Sequence, residues 1–473
     1  MKQIIKIFVV LGAALSLAAC HKGVVIDKVD EAAYDNVLNT LVTVRDGQTN
    51  KLSNVVEIYK ESITTEVAAF SARAPRMGVE VQLTYDPSYL EAYNAEHETS
   101  FEILPETQFS LQNGGKIVLS PDQRKSYPLD LTIGTFSDTE EKTYVLPFKV
   151  ESLTKGVTVP ESATHMVYLV KNRSGMPRVS DGDHKKIIIW PENRHTNPLN
   201  FLLLETEDGR LVTDYVVIFK YQLGYDPEKE ELLVRADVPG QFILDNYDKV
   251  VKPLRDRGIK VAVSILGGDP VAGPAQLSDE GCRDFARRVA AFVNKYGFDG
   301  VNYDDEYSGA PDLSNPLFAP RSYTQGDRLF FETKRLLPDK DMICYQYGQT
   351  QGRNPVDGVD PSEYMDIFNA DYGSAARPYG HYETEAEGLA KCSFMSNDFE
   401  SNRGPMPSTS SVQQFVESDY GWWMIFAFWA TPGSKVHYDR LNTLVQGTLG
   451  SPLKKPTYFY TDCASFTTSP ITW

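Results

Sequence analysis

The chain has 473 residues, with 41% hydrophobic and 23% charged, enough ordinary globular material for two or three domains of roughly 100–200 residues each. Its formal net charge is −17, from 47 Lys and Arg against 64 Asp and Glu, with no block of basic residues, so nucleic acid, whose phosphates need a concentrated basic face, is not an expected partner. Tyr 26, Phe 23 and Trp 5 make it rich in aromatic side chains, which suits sugar stacking but serves more often as plain core.

Lys2 and Lys6 precede an apolar run over 7–17, and small residues follow. Residues 1–20 therefore read as an export signal too short to span a bilayer. The run ends Leu17-Ala18-Ala19-Cys20, which resembles a bacterial lipobox. That resemblance implies lipidation of Cys20 and a protein attached to the bacterial cell envelope through its lipid alone, in the outer membrane, facing the periplasm or the outside. The bland alternative is a cleaved signal with an incidental Cys. The other cysteines, Cys282, Cys344, Cys392 and Cys463, form no CxxC and are expected to be mostly free, buried thiols. Seven histidines form no HxH or HExxH cluster, so neither a metal nor a cofactor is expected.

Residues 21–70 read as a tether and short helical region, with helix-like stretches around 31–41. Alternation of apolar and polar residues then sets in at Val79–Tyr85, Phe109–Leu111, 117–119, Leu129–Ile133 and 166–169, separated by Pro, Gly, Asp and Asn turns. This predicts a small all-β sandwich over 71–172. A turn-rich linker, 173–184, follows. From 185 to 473 short apolar strands alternate with helical stretches. The strands are expected at 187–190, 215–219, 261–266, 300–303, 342–347, 365–369, 392–396 and 424–429, with helices around 242–257 and 278–296. Eight strands over about 285 residues fit a (β/α)8 TIM barrel in the α/β class.

The chemistry concentrates in Asp299-Gly300-Val301-Asn302-Tyr303-Asp304-Asp305-Glu306-Tyr307. Alternate side chains of a strand share a face, so Asn302, Asp304 and Glu306 project one way and Val301 and Tyr303 the other. Polar groups lining a barrel interior are costly unless paired, and at the C-terminal end of a barrel strand they read as catalytic. Two carboxylates two positions apart stand about 6–7 Å apart at the backbone, so ionising one raises the pKa of the other. Glu306, nearer the mouth, is the better proton donor, and Asp304 the better charged partner. A calcium loop or an acidic surface turn is the structural alternative, but a calcium loop lacks the preceding apolar strand.

This stretch resembles the DGxDxDxE signature of family 18 glycoside hydrolases, and Asp305-Glu306-Tyr307 is similar to the Endo H and Endo F endo-β-N-acetylglucosaminidases. The likeness extends through 185–450: Gly258 to Gly268 resembles the third strand with its Ser264-x-x-Gly267 end, and Asp366-Ile367-Phe368-Asn369-Ala370-Asp371-Tyr372-Gly373 resembles the sixth. The resemblance implies substrate-assisted retention, in which the 2-acetamido oxygen of the substrate attacks the anomeric carbon, an exception to the two-carboxylate scheme. It assigns Glu306 as acid and then base, Asp304 to the acetamido N–H, and Tyr372 to the acetamido oxygen. Substrate-binding roles fall to Asn302, Asn369, Tyr345, Gln346, Ser264 and Trp429, the last as a floor for the sugar ring. Its implied partner is an N-acetylglucosamine-containing glycan or glycoprotein, bound by a monomer.

Two departures stand out: Asn302 where the motif has Asp, and Asp371 where related enzymes often carry an aromatic residue. The rival expectations are a chitinase-like hydrolase and a catalytically silent glycan-binding lipoprotein in which Asn302 marks decay of the site. Residues 309–324, 373–388 and 397–411 are the expected subsite walls. The N-terminal sandwich resembles the Bacteroides-type domain of unknown function that precedes family 18 barrels, which implies a spacer or a glycan-contacting module.

Overall fold

The computed structural model describes residues 40–177, 179, 184–268, 271–429 and 435–473. The expected export signal, Cys20 and the helix-like stretch up to residue 39 lie outside the described residues. Eleven strands build the N-terminal domain: β1 (Thr40–Asp46), β2 (Ser53–Ile58), β3 (Ile63–Ser71), β4 (Val79–Tyr85), β5 (Glu102–Ile103), β6 (Phe109–Leu111), β7 (Lys116–Leu119), β8 (Leu129–Ile133), β9 (Thr143–Ser152), β10 (Val157–Thr158) and β11 (His165–Asn172). They form two sheets, ordered β10-β1-β3-β8-β6 and β2-β11-β9-β4-β7, with β5 beside β9. Val44, Val67, Leu131 and Ile133 of one sheet meet Val81, Phe148, Tyr168 and Val170 of the other in the core.

The sandwich starts earlier than the sequence suggested. Residues 40–70, expected as tether and helix, supply β1, β2 and β3. Val42 and Val44 are buried and alternate with Thr43 and Arg45, a period of two that only pays out once β1 lies antiparallel to β3, with Val42 opposite Ser71 and Val44 opposite Ala69.

The second domain contains β12 (Lys186–Trp190), β13 (Tyr215–Asp226), β14 (Glu231–Ala236), β15 (Lys260–Leu266), β16 (Gly300–Asp304), β17 (Asp341–Gln346), β18 (Ile367–Ala370), β19 (Ser393–Asp398) and β20 (Trp422–Phe426). Eight of them run parallel in the order β18-β17-β16-β15-β13-β12-β20-β19, and a parallel bridge between Phe368 and Cys392 joins the two ends. The sheet is a nearly closed parallel barrel with helices outside, the expected class. Strand β13 overruns the rim and folds back as a hairpin with β14. The expected 242–257 helix is two, Val238–Asp245 and Tyr247–Asp256. Asn246 between them leaves helical geometry at φ −118° and ψ 31°, and its side chain donates to the Phe242 carbonyl at 2.9 Å. Helix Asp279–Tyr296 is capped by Ser278, whose hydroxyl accepts from the Gly281 N–H at 3.0 Å, and it stops at Gly297, at φ 60°. After the last helix, Lys435–Leu449, a short pair, β21 (Tyr458–Tyr460) and β22 (Thr468–Pro470), completes the chain.

Alternation sorts the barrel side chains. Val301 and Tyr303 pack outward among the helices, while Ile188, Trp190, Val217, Ile343, Tyr345 and Met424 pack inside. The sandwich docks on the opposite end of the barrel from Asp304 and Glu306: Glu57 pairs with Lys260 at the start of β15 (3.2 Å), Arg173 with Asp299 just before β16 (2.8 Å), and Lys51 with Asp366 just before β18 (3.2 Å). Arg173, expected in a loose linker, is thus buried and multiply paired.

Candidate active site at the barrel mouth

Strand β16 carries the motif between β15 and β17, with Ser264 opposite Asn302 and Leu266 opposite Asp304. Its inner face presents Asn302 and Asp304 into the barrel, both buried, and Glu306 emerges two residues beyond the strand end, partly exposed. The acid sits on a fixed loop. The Asp305 carboxylate accepts from the Ser308 hydroxyl (3.0 Å), the Arg321 guanidinium (2.7 Å) and the Gln349 N–H (2.9 Å). The loop also presses on β15, where a Cβ built on Gly267 would lie 2.5 Å from the Glu306 carbonyl oxygen.

Burial, with Glu306 and Asp305 close by, holds the Asp304 carboxyl well above the usual carboxylate range, against a smaller opposing pull from Lys220. Glu306 is raised too, by burial first and then by Asp371, with Arg403 opposing. Two carboxyls held upward keep a proton to higher pH than ordinary carboxylates do, which suits a general acid. Asp304 Oδ1 and both polar side-chain atoms of Asn369 make no hydrogen bond among the described residues, although both residues are buried. Buried polar groups are rarely left so, and these point to a ligand with matching donors and acceptors.

Tyr372 follows β18 and packs against Tyr345 and Phe426, with ring centroids 6.0 and 5.8 Å away. Burial raises its hydroxyl pKa first, with Asp398, Asp304 and Glu306 adding in the same direction, so it stays a proton-bearing donor. Tyr345 faces inward and donates its hydroxyl to Asp371 Oδ1 at 2.7 Å.

Four expected site residues make other contacts. Ser264 donates to Asn302 Oδ1 (2.8 Å) and the Asn302 amide donates to the Ile343 carbonyl (2.8 Å). Both are wholly buried and satisfied, so they brace the strand beneath Asp304 rather than face a substrate. Gln346 alternates away from Tyr345, donating to the Arg377 carbonyl (2.6 Å) and accepting from its N–H (3.0 Å). It locks the loop after β18. Trp429 lies beyond β20, which ends at Phe426, because Ala427 turns the chain at φ 52°. Its ring meets His195 edge-on at 4.8 Å, and Phe426, at the strand end, packs against Tyr372. Around His195 stand Glu192 (3.2 Å) and Glu400 (3.9 Å), whose ligand atoms lie within 4.8 Å of one another. Sequence reasoning missed Arg403, whose guanidinium lies over the Tyr372 ring at 4.7 Å; its loop position carries no periodic signal.

The comparisons agree with this geometry. A family model described as "-like, N-terminal domain" matches residues 34–157. Endo-beta-N-acetylglucosaminidase F1 of Elizabethkingia meningoseptica is 35% identical over 246 residues, covering 51% of this chain and 71% of the relative. An endo-beta-N-acetylglucosaminidase of Flavobacterium sp. (strain SK1022) is 28% identical over 222 residues, 46% of this chain and 67% of the relative. Among solved structures, Bacteroides thetaiotamicron EndoBT-3987 with Man5GlcNAc product superposes with TM-score 0.83 at 35% identity, covering 91% of this chain and 99% of that one. The same protein with Man9GlcNAc2Asn substrate gives TM-score 0.77 at 34% identity, over 91% of this chain and 99% of that one.

Proposed function

The chain belongs to the family 18 endo-β-N-acetylglucosaminidases, a group of glycoside hydrolases, and on that premise we propose that it cuts the β-1,4 bond between the two core N-acetylglucosamines of N-linked glycans. One observation carries the reading: at one end of the barrel, buried Asp304 and Asn369 hold polar side-chain atoms with no hydrogen bond among the described residues, and Glu306 follows Asp304 two residues on, just past the strand end. Glu306 delivers its proton to the glycosidic oxygen as that bond breaks. The acetamido oxygen of the retained sugar attacks the anomeric carbon, forming an oxazolinium. Asp304 accepts the acetamido N–H and aligns the group, and the Tyr372 hydroxyl donates to its oxygen. Fixed dipoles of this kind, aimed where charge develops, lower the barrier without reorganising. Glu306, now a carboxylate, takes a proton from the water that opens the ring, and the product retains its configuration.

The substrate and the product held by EndoBT-3987, Man9GlcNAc2Asn and Man5GlcNAc, support an N-glycan core as the target. Mass spectrometry of defined high-mannose, hybrid and complex glycopeptides tests it. One N-acetylglucosamine left on the peptide and one on the released glycan is the expected result. Cleavage of chitin oligomers alone would favour a chitinase-like enzyme, and binding without cleavage a silent lectin.

We further propose that the protein acts as a monomer held at the cell envelope by lipid on Cys20, supported by the run Leu17-Ala18-Ala19-Cys20 behind Lys2 and Lys6. Among the described residues, no helix is long and apolar enough to cross a membrane. Metabolic labelling with a palmitate analogue tests the anchor: label is expected on the native chain and absent from Cys20→Ser.

A further inference from the structure

We propose that Asp371 is the positioning residue for Tyr372, aiming its phenol into the site by tying the backbone past β18 to a side chain of β17 through one carboxylate oxygen. The inference rests on the proposed role of Tyr372 as donor to the acetamido oxygen.

The pairing between β17 and β18 stops at Gln346 and Ala370, so Tyr372 stands two residues beyond the regular ladder. Asp371 supplies the missing tie. Its Oδ1 accepts the Tyr372 N–H at 2.8 Å, and the same atom accepts the Tyr345 hydroxyl at 2.7 Å. A side-chain bond to the next residue's N–H restricts the peptide unit between the two residues, and with it the direction in which Tyr372 leaves the backbone. Tyr345 is buried inside the barrel, which makes it a fixed anchor for that unit.

Other contacts hold the ring once it is aimed. Tyr345 and Phe426 lie 6.0 and 5.8 Å away between centroids, and the Arg403 guanidinium covers the ring at 4.7 Å. The turn after Tyr372 is pinned from β19, where Gly373 N–H donates to the Ser396 carbonyl at 2.8 Å. Gly404, beside Arg403, packs so closely on this turn that a Cβ there would lie 2.7 Å from the Gly373 nitrogen. Ring packing tolerates small slides, whereas a hydrogen bond weakens steeply as it bends. A Phe at position 371 could accept neither bond, which gives the acid there a structural reason. Its ion pair with Arg403, at 4.0 Å and with side chains 38% and 58% exposed, adds little by itself.

Asp371→Ala removes both bonds, and Asp371→Asn keeps an oxygen to accept them. On a chitobiose-core glycopeptide, Asp371→Ala is expected to lower kcat by about 10–100-fold with KM little changed, since a misplacement of about 1 Å costs on the order of 10²-fold. Asp371→Asn is expected to recover most of that loss. A double-mutant cycle with Tyr372→Phe separates positioning from general damage: once the hydroxyl is gone, Asp371→Ala should cost less than about 2-fold more. An undiminished loss in that background, or no loss in the single variant, would overturn the assignment. Crystal structures of the two Asp371 variants read the same placement without turnover, with the phenol displaced in Asp371→Ala and in place in Asp371→Asn. A phenol that stays put in Asp371→Ala would also overturn it. A parent protein that cuts no glycan, with the phenol displaced in Asp371→Ala, would sink the hydrolytic reading alone.

Discussion

Arg173, at the end of the sandwich, donates to Asp299, the first residue of the catalytic motif, across 2.8 Å of buried interface. Asp299 also accepts from Arg255 at 2.9 and 3.0 Å and from the Val261 N–H at 3.0 Å. Glu141 of the sandwich completes the network by accepting from Arg255 at 2.7 and 2.9 Å. The two domains therefore share charges that neither can leave unpaired. Arg173→Met is expected to lower stability by about 3–5 kcal/mol in urea unfolding, the range for breaking one side of a buried ion pair. The Asp299 carboxyl is held well below the usual range, with burial opposing and Arg255 and Arg173 prevailing. A depressed folded pKa adds stability above the unfolded value, about 4, and loses it as pH falls through the folded one. Melting temperature should decline below about pH 4, and less steeply in the variant.

The two catalytic carboxyls should separate activity from stability. Glu306→Gln is expected to cut kcat by at least about 10²–10⁴-fold with folding intact, the range for losing a general acid. Asp304→Asn should abolish most turnover yet leave the melting temperature equal or higher, because it replaces a buried acid, raised by its neighbours, with a neutral group of the same shape. Differential scanning calorimetry beside steady-state kinetics checks both.

Restoring an acid at position 302 should not improve the enzyme. Asn302→Asp would lose the amide that now donates to the Ile343 carbonyl at 2.8 Å, unless the new carboxyl keeps its proton. Burial raises such a pKa, so the stability contributed is complete below the unfolded value and lost as pH rises through the folded one. The variant is expected to match the parent near pH 4 and to lose about 1–3 kcal/mol by pH 8, measured by thermal unfolding across that range.

Gly267 is required for the position of the acid rather than for backbone freedom. A methyl there meets the Glu306 carbonyl oxygen at 2.5 Å, with Ser308 Cα and Oγ at 3.1 Å. Gly267→Ala should push the loop away and lower kcat about 10²-fold while KM changes little, since a shift of about 1 Å is enough to spoil proton delivery. Stopped assays at saturating substrate would show it.

The barrel strands and the inward row of β16 were legible because burial imposes a period of two on local sequence, as at Val301 and Tyr303 against Asn302 and Asp304. What depended on distant partners was not. Strands β1 to β3 become strands through pairing with one another and with β8 and β11, and the β13–β14 hairpin extends where an ordinary barrel strand would stop. Trp429 was expected to end the last strand, whereas β20 stops at Phe426, which packs against Tyr372, and Ala427 turns the chain before Trp429. Asp371 was visible as an odd residue; its link to Tyr345 and Arg403 exists only in three dimensions.

The most direct measurement is the configuration of the freshly released sugar, followed by proton NMR during the first turnovers on a chitobiose-core glycopeptide. Attack by the acetamido oxygen followed by water gives the β-anomer first, which then equilibrates. An α-anomer at the earliest times would mean that water displaces the leaving sugar directly, and the roles given to Asp304 and Tyr372 would be wrong.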